Sequence, residues 1–301
     1  MDTSNIQGPQ EWYELIEILH EEKGVAILLG TTDTGKSTLA KFLVFNLCKR
    51  GLKVALVDAD IGQSFLGPPT TIGFSVFKSD PTWEIVLLPP EIFFVGSTTP
   101  EGCFPTHLKG TKRMVDKALS TGADIIIVDT TGFILGEAGK ELKRRKIDLI
   151  SPRILIALQK ESEIEPLLEL YQGNSQYKLI RLPLSDQVKP RTPEERRVYR
   201  ANKFNDYFKY ATIQELTIDH IQIEGEVLDL NGEILPIGWA LKINGLLIGL
   251  KDAIDETLAL GIIRNYSEEN KRLRISTPLR EIERVKTIQL SSHKVIPLYE
   301  E

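Results

Sequence analysis

Cysteine is scarce in this sequence. Two residues in 301, Cys48 and Cys103, are too few for a disulfide scaffold or a four-cysteine metal site, and their spacing carries no redox motif. They read as ordinary buried or half-buried thiols in a reducing compartment. Excess positive charge is also missing. Lys and Arg number 37 against 42 Asp and Glu, a net charge of −5, which excludes a polybasic nucleic-acid coat and leaves room only for a local basic patch. No apolar run reaches the roughly 18 residues of a membrane span. The first ten residues have neither a basic start nor an apolar stretch, so no signal peptide is expected. These absences predict a soluble, intracellular, cytoplasmic protein. A content of 42% hydrophobic and 26% charged residues excludes wholesale disorder, and the length predicts two domains.

What is present alternates. Trp12–His20 has apolar and acidic residues at helical spacing. Four short apolar runs follow, at residues 25–29, 54–57, 125–128 and 154–158, of the kind found in strands buried on both faces of a parallel sheet. Helices are predicted between and after them, over 36–50, 107–120, 137–150 and 161–172. The alternation predicts a doubly wound α/β domain over 1–210. Past residue 211 the texture changes. Asn231-Gly232 and Asn244-Gly245 are hairpin signals, residues 265–272 form a polar turn, and alternation over 218–223 fits a half-buried strand. Residues 211–301 therefore read as a small β-rich domain.

Gly30-Thr31-Thr32-Asp33-Thr34-Gly35-Lys36-Ser37 matches G-x-x-x-x-G-K-[ST], placed between an apolar strand and a helix, with Thr38 next in line. In such a loop inward-turned amides and the helix start hold phosphate oxygens, Lys36 reaches the β- and γ-phosphates, and Ser37 ligates Mg²⁺. The pattern predicts a nucleoside triphosphate with magnesium. Two of the strand-like runs end in carboxylates, Asp58-Ala59-Asp60-Ile61-Gly62-Gln63 and Asp129-Thr130-Thr131-Gly132. Carboxyl ends of parallel strands face the ligand crevice, and one of these aspartates should face the metal. Asp129-Thr130-Thr131-Gly132 also fits the D-x-x-G of GTPases, although Asn202-Lys203-Phe204-Asn205 lacks the aspartate of a guanine-reading N-K-x-D. A GTPase or ATPase switch protein and a non-catalytic, ATP-bound nucleic-acid-processing module stay open beside a kinase.

Residues 188–209 carry seven Lys and Arg against three carboxylates. Thr192-Pro193-Glu194-Glu195 is a capping box with Pro at the first helical position. At about 100° per residue, Arg196, Arg200, Lys203 and Tyr207 form one stripe, while Val198, Ala201, Phe204 and Phe208 lie on another side and are expected to pack. Arg197 falls beside the apolar side. A lid of this kind over 188–209 suits phosphoryl transfer, whose transition state spreads negative charge.

Taken together, the phosphate loop, Asp58-Ala59-Asp60-Ile61-Gly62-Gln63, Gly96-Ser97-Thr98-Thr99-Pro100 and Arg191-Thr192-Pro193-Glu194-Glu195-Arg196-Arg197 resemble the polynucleotide 5′-hydroxyl kinase family in the same order. That family includes the RNA kinase of the pre-mRNA cleavage machinery and ribosomal-RNA-processing kinases. The resemblance spans about residues 25–205. It implies ATP and Mg²⁺ as cofactors and the 5′-hydroxyl end of RNA as substrate, with DNA as the other candidate. It implies Asp60 at the metal shell and the attacking hydroxyl, with Asp58 the second choice as base. It implies Thr98 as a clasp on the first phosphates of the substrate, Gln63 beside the same nucleotide, and Arg191 and Arg196 as lid arginines. Phe133 stands where some relatives place a tryptophan that stacks on the terminal base. With 29 residues before Gly30, the expected form is compact, like archaeal members, without the partner-binding domain that precedes the loop in eukaryotic relatives. The resemblance assigns no protein partner.

Overall fold

In the computed structural model the four apolar runs become strands, because their side chains are covered on both faces. The structure describes residues 8–79, 85–87, 90–185, 188–229 and 231–295; residues 1–7, which bear on a signal peptide, lie outside these. In chain order the elements are α1 (Gln10–Glu22), β1 (Gly24–Gly30), α2 (Lys36–Lys49), β2 (Val54–Ala59), β3 (Thr71–Ser79), β4 (Ile85–Leu87), β5 (Glu91–Phe94), α3 (Phe104–Ser120), β6 (Ile125–Thr130), α4 (Gly136–Ile150), β7 (Ile154–Leu158), α5 (Glu165–Leu168) and β8 (Lys178–Leu182). Then come α6 (Pro193–Phe208), β9 (Thr212–Thr217), β10 (Gln222–Glu224), α7 (Ile237–Ala240), β11 (Leu246–Lys251), β12 (Thr257–Ser267), β13 (Arg272–Thr277) and β14 (Thr287–Lys294).

The chain divides into two units. The first takes the chain up to Gly67, Ile72–Glu91 and Pro100–Thr192; the second takes Pro68–Thr71, Ile92–Thr99 and the chain from Pro193. The division therefore falls before α6, and the cationic helix groups with the C-terminal strands.

In the first unit the strands lie in the order β4-β3-β2-β6-β1-β7-β8. From β2 to β8 all neighbours are parallel, while β3 and β4 run antiparallel. β1 thus leads into the phosphate loop from the middle of the sheet, with β6 beside it and β2 next to β6. Trp12, Leu15 and Leu19 of α1 pack with Leu39, Phe42 and Leu43 of α2 and Leu28 of β1 in one core. The Trp12 and Phe42 ring centroids are 5.3 Å apart. Each such large apolar side chain contributes about 1.5–3 kcal/mol when fully buried.

The second unit is built on a six-stranded sheet in the order β10-β14-β11-β12-β13-β9, antiparallel except for the β10–β14 pair. The α/β class with a β-rich C-terminal sheet is as the sequence predicts. Among the described residues no helix is long and apolar enough to cross a membrane.

Some local expectations are corrected. The helix expected over 161–172 shrinks to α5. Beyond it Leu170, Tyr171 and Gln172 donate to the carbonyls three residues back, and these tight turns carry Tyr171 into the interior. Asn244-Gly245 makes no hairpin; it leads from α7 into β11, with the Gly245 N–H bonded to the Ile263 carbonyl. The alternation over 218–223 is broken by a 3₁₀ turn at Ile218–His220. Asn231-Gly232 does close a tight turn, between the bridged residues Leu228 and Ile234, with the Asp229 carboxylate accepting from the Asn231 and Glu233 amides.

On α6 the packing side also differs from expectation. Phe204 and Phe208 are buried, but Val198 and Ala201 are exposed. Tyr207, expected in the cationic stripe, packs inward instead, its hydroxyl accepting from the Leu260 amide at 2.9 Å. Phe204 packs against the His293 ring, their centroids 5.6 Å apart and their planes tilted by 33°. Aromatic area outweighs a valine and an alanine in choosing the buried side.

Candidate functional site

The phosphate loop runs from the end of β1 to Lys36, where α2 begins. The first amides of α2 have no partners within the helix and are available to an anion. Lys36 is 6% exposed and its ammonium folds back on its own loop, donating to the Thr31 carbonyl at 2.6 Å and to Thr34 Oγ1 at 3.4 Å. Thr34 Oγ1 donates to the same carbonyl at 2.9 Å. Burial lowers the Lys36 pKa, and the charges of Asp129, Asp60 and Asp33 oppose that shift. Thr32 and Thr38 are exposed at the loop and the helix start.

The two acidic strand ends lie side by side, because Asp58 and Asp129 are register partners on β2 and β6. Both are fully buried, and burial pushes both carboxyls above the usual range; the charge of Asp129 adds to the rise at Asp58, while Lys36 and the Ser37 hydrogen bond oppose the rise at Asp129. Their partners differ. Asp58 is consumed internally, accepting from the Asp60, Phe65 and Leu66 amides and from Ser64 Oγ. That set closes the 58–66 turn and leaves Asp58 poorly placed to act as a base. Asp129 Oδ2 accepts from Ser37 Oγ at 2.5 Å, and its Oδ1 is buried without a partner. Ser37, the hydroxyl of the G-K-S triplet, is thus brought to Asp129 rather than to Asp60. Asp60 is half-buried; its Oδ1 accepts from the Gly62 and Gln63 amides at 3.1 Å each.

A link joins this turn to the loop. The Arg191 amide donates to Asp33 Oδ2 at 3.2 Å, and Arg191 Nη1 donates to Gln63 Oε1 at 3.2 Å. Phe133 is half-buried, its amide bonded to Thr131 Oγ1, and its ring lies 6.0 Å from that of Phe104 at 67°. Thr98 belongs to the second unit and is half-buried at the tip of a turn in which Ser97 Oγ accepts from the Thr99 amide and donates to the Thr99 carbonyl. Arg196 is half-buried in the first turn of α6 and also belongs to the second unit.

The donor set fits magnesium. Among the described residues no three His, Cys, Asp or Glu are grouped to hold a metal alone. Mg²⁺ does not need such a cage; it takes one or two protein oxygens together with substrate phosphates and water. The Ser37 hydroxyl beside the unpartnered Asp129 Oδ1 offers that.

Behind the strand ends lie groups that sequence reading did not select. Lys143 and Lys146 of α4 are fully buried, as is His107 of α3, whose Nε2 bonds to the Ala59 carbonyl at 3.1 Å. Lys146 Nζ and His107 Nδ1 have no hydrogen-bond partner. Burial, with the two lysines adding to it, keeps the imidazole neutral. A signal existed: at about 100° per residue, Lys143 and Lys146 fall inside the arc of Leu142, Ile147 and Ile150, whereas the other charges of α4 lie outside it.

This burial has a consequence for pH. Burial pushes the Lys146 pKa down to about 7, with Asp60 and Asp129 partly restoring it. The unfolded chain holds that proton up to about pH 10. Between pH 7 and 10 the unfolded state therefore binds more protons, and stability rises with pH by up to about 1.4 kcal/mol per unit for this one group. The raised carboxyls act in the opposite sense, but at lower pH. Urea midpoints should be higher at pH 9 than at pH 7.5 in the wild type, and the rise should be smaller in Lys146→Met, where the lowered amines of Lys143 and Lys36 still contribute. An unchanged slope in the variant would assign the effect elsewhere.

Residues 30–210 match the family described as mRNA cleavage and polyadenylation factor CLP1 P-loop. The polyribonucleotide 5′-hydroxyl-kinase of Methanocaldococcus jannaschii is 32% identical, over 93% of this chain and 89% of its own. That of Pyrococcus furiosus is 30% identical, over 89% of this chain and 87% of its own. The protein CLP1 homolog of Arabidopsis thaliana is 27% identical over 64% of this chain and 45% of its own. The solved structure of Clp1p in complex with Pcf11p has the same fold, with a TM-score of 0.74 at 16% identity over 95% of this chain and 79% of that one.

Proposed function

This chain belongs to the mRNA cleavage and polyadenylation factor CLP1 P-loop family, and from that premise we propose that it is an ATP-dependent polynucleotide 5′-hydroxyl kinase. Family membership carries nucleotide binding at the 30–38 loop. The finer reading is that ATP donates its γ-phosphoryl group to the 5′-hydroxyl of RNA, with DNA ends as the other candidate acceptor. The observation that carries it is Arg191, which bridges Asp33 of the phosphate loop and Gln63 of the turn that also holds Asp60. A donor loop and an acceptor-side carboxylate are thereby tied together, which hydrolysis of a nucleotide alone does not call for.

Lys36 and the loop amides hold the β- and γ-phosphates. Ser37 and Asp129, together with Asp60, would hold magnesium; when bound, the cation would supply charge neutralisation on the triphosphate. Asp60 orients the 5′-hydroxyl and accepts its proton; its Oδ1 is fixed by two amides, so Oδ2 is the oxygen left for that task. Thr98 and Gln63 grip the leading nucleotide. Arg191 and Arg196 neutralise charge on the equatorial oxygens as the phosphoryl group moves. Phe133 offers a ring to the terminal base.

The test is transfer of labelled γ-phosphate from ATP to 5′-hydroxyl oligoribonucleotides and oligodeoxyribonucleotides, with GTP and free nucleosides as controls. Hydrolysis without labelled ends would overturn the reading in favour of a switch protein. Phe133→Ala should weaken the acceptor by about 1–3 kcal/mol, the cost of losing one stacked base. This is read as a raised KM for the oligonucleotide at unchanged KM for ATP. An unchanged acceptor KM would return Phe133 to a packing role against Phe104.

A further inference from the structure

Lys143 is 0% exposed, yet its amine is fully engaged. Nζ donates to Thr130 Oγ1 at 2.8 Å and to the Thr131 carbonyl at 2.6 Å, with Thr131 Oγ1 at 3.5 Å. The Thr130 hydroxyl spends its own proton on the Leu28 carbonyl of β1 at 2.7 Å, so it is an acceptor toward the lysine. One chain of hydrogen bonds therefore runs from α4 through the end of β6 to the strand that delivers the phosphate loop. Burying an amine is unfavourable, and a methionine would fill the same space without that penalty. What only the amine supplies is the pair of bonds to the turn.

Packing reinforces the same turn. One helical turn before Lys143, Gly139 lies so close to the turn that an added Cβ would stand 2.5 Å from the Ile134 carbonyl carbon. On the other side, a Cβ on Gly132 would stand 2.5 Å from the Thr32 amide nitrogen and 2.6 Å from Thr32 Cα. The backbone of α4 thus presses on the 131–134 turn, and the turn presses on the phosphate loop.

We propose that Lys143 is a positioning residue for phosphoryl transfer, fastening the Thr130–Gly132 turn against the phosphate loop so that Phe133 and Asp129 are held in register with the donor phosphates. The proposal rests on the kinase reading above and names what keeps its two halves aligned. Lys143 is fully buried and donates to Thr130 and Thr131, and it acts through them. Misplacement of reacting groups by about 1 Å costs on the order of 100-fold in rate, so loosening the turn should appear in kcat before it appears in ATP affinity.

The experiment uses the full chain with Lys143→Met, Thr130→Val and the double substitution. Amide hydrogen exchange over residues 131–135 is measured without nucleotide, and kcat, KM for the oligonucleotide and ATP affinity are measured separately. In Lys143→Met, exchange over 131–135 should quicken by at least about tenfold while β1 and β7 stay protected, as expected of a local opening. The kcat should fall by about 10–100-fold with ATP affinity changed less than about threefold. The double variant should be no worse than Lys143→Met, because both changes cut the same chain of bonds. If Lys143→Met does not fold, Thr130→Val carries the test through the same exchange readout. Wild-type exchange in the variant, or an equal loss of ATP affinity and kcat, overturns the proposal while the kinase reading stands. If exchange quickens in Lys143→Met but the wild type transfers no phosphate, the fastening stands and the substrate assignment falls instead.

Discussion

Lys36→Ala is expected to reduce phosphoryl transfer by about three orders of magnitude or more, the scale seen when a positioned group on the transferring phosphate is removed. The geometry says why the fold should survive. Without nucleotide the ammonium satisfies itself on the Thr31 carbonyl and Thr34 Oγ1, both in its own loop. It braces no distant element. Its burial is unfavourable, as its lowered pKa records, so its loss relieves one desolvation penalty. The opposing effect is on Asp129, whose carboxylate Lys36 helps to keep ionised. These terms offset each other, and the thermal midpoint should move by only a few degrees. The chemistry has no such compensation. In the proposed reading the donors of Lys36 exchange a carbonyl for β- and γ-oxygens when a triphosphate enters, and nothing else among the described residues of the loop carries a positive charge. Circular dichroism with the end-labelling assay checks both halves. Full activity in a folded Lys36→Ala protein would remove the phosphate-loop role and the whole scheme with it.

The parts of this molecule legible in the sequence are those in which burial and pattern coincide. Ile125–Val128 and Ile154–Leu158 announced central strands because both of their faces are covered. β8, Lys178–Leu182, escaped notice because it is half-exposed and reads Lys-Leu-Ile-Arg-Leu, and β3, Thr71–Ser79, because it mixes polar and apolar residues and follows Pro68-Pro69. In the site, the glycine loop fixed Lys36 and Ser37 by spacing alone. The partner of Ser37 could not be found that way. Asp58, Asp60 and Asp129 are equivalent as strand-end carboxylates. Only the register of β2 on β6 and the loop hydrogen bonds separate an Asp58 consumed by Ser64, Phe65 and Leu66 from an Asp129 that meets Ser37. Lys143 was hidden for a different reason. Helix α4 is rich in charge, and a lysine is assigned to solvent unless its angular position is compared with that of Leu142 and Ile147. On α6, angle alone puts Tyr207 among the cations, but the apolar area of its ring packs it against the core.

Arg196→Ala is expected to lower kcat by about 10³-fold or more while ATP affinity changes less than about threefold, because an arginine that meets charge only as it spreads in the transition state contributes little to ground-state binding. Arg197 provides the contrast. It is one residue away and chemically identical, yet it is exposed and forms a two-point ion pair with Glu194, Nε at 3.0 Å and Nη2 at 2.9 Å, on its own helix. Such exposed pairs contribute at most about 1 kcal/mol, and Arg197→Ala should leave transfer within about twofold of wild type. Arg196 is half-buried in the first turn of α6, where Pro193 opens the helix. The division between the two units falls between Thr192 and Pro193, so Arg191 and Arg196 are five positions apart in sequence but belong to different units. Arg196→Lys separates charge from shape. A lysine restores the positive charge but not the planar two-point donor, so it should recover part of the loss and no more. Measured kcat and ATP affinity for the three variants decide the matter. A loss confined to ATP affinity in Arg196→Ala, or an equal loss in Arg197→Ala, would make α6 a general cationic surface and leave the transition-state charge to Lys36 and Arg191.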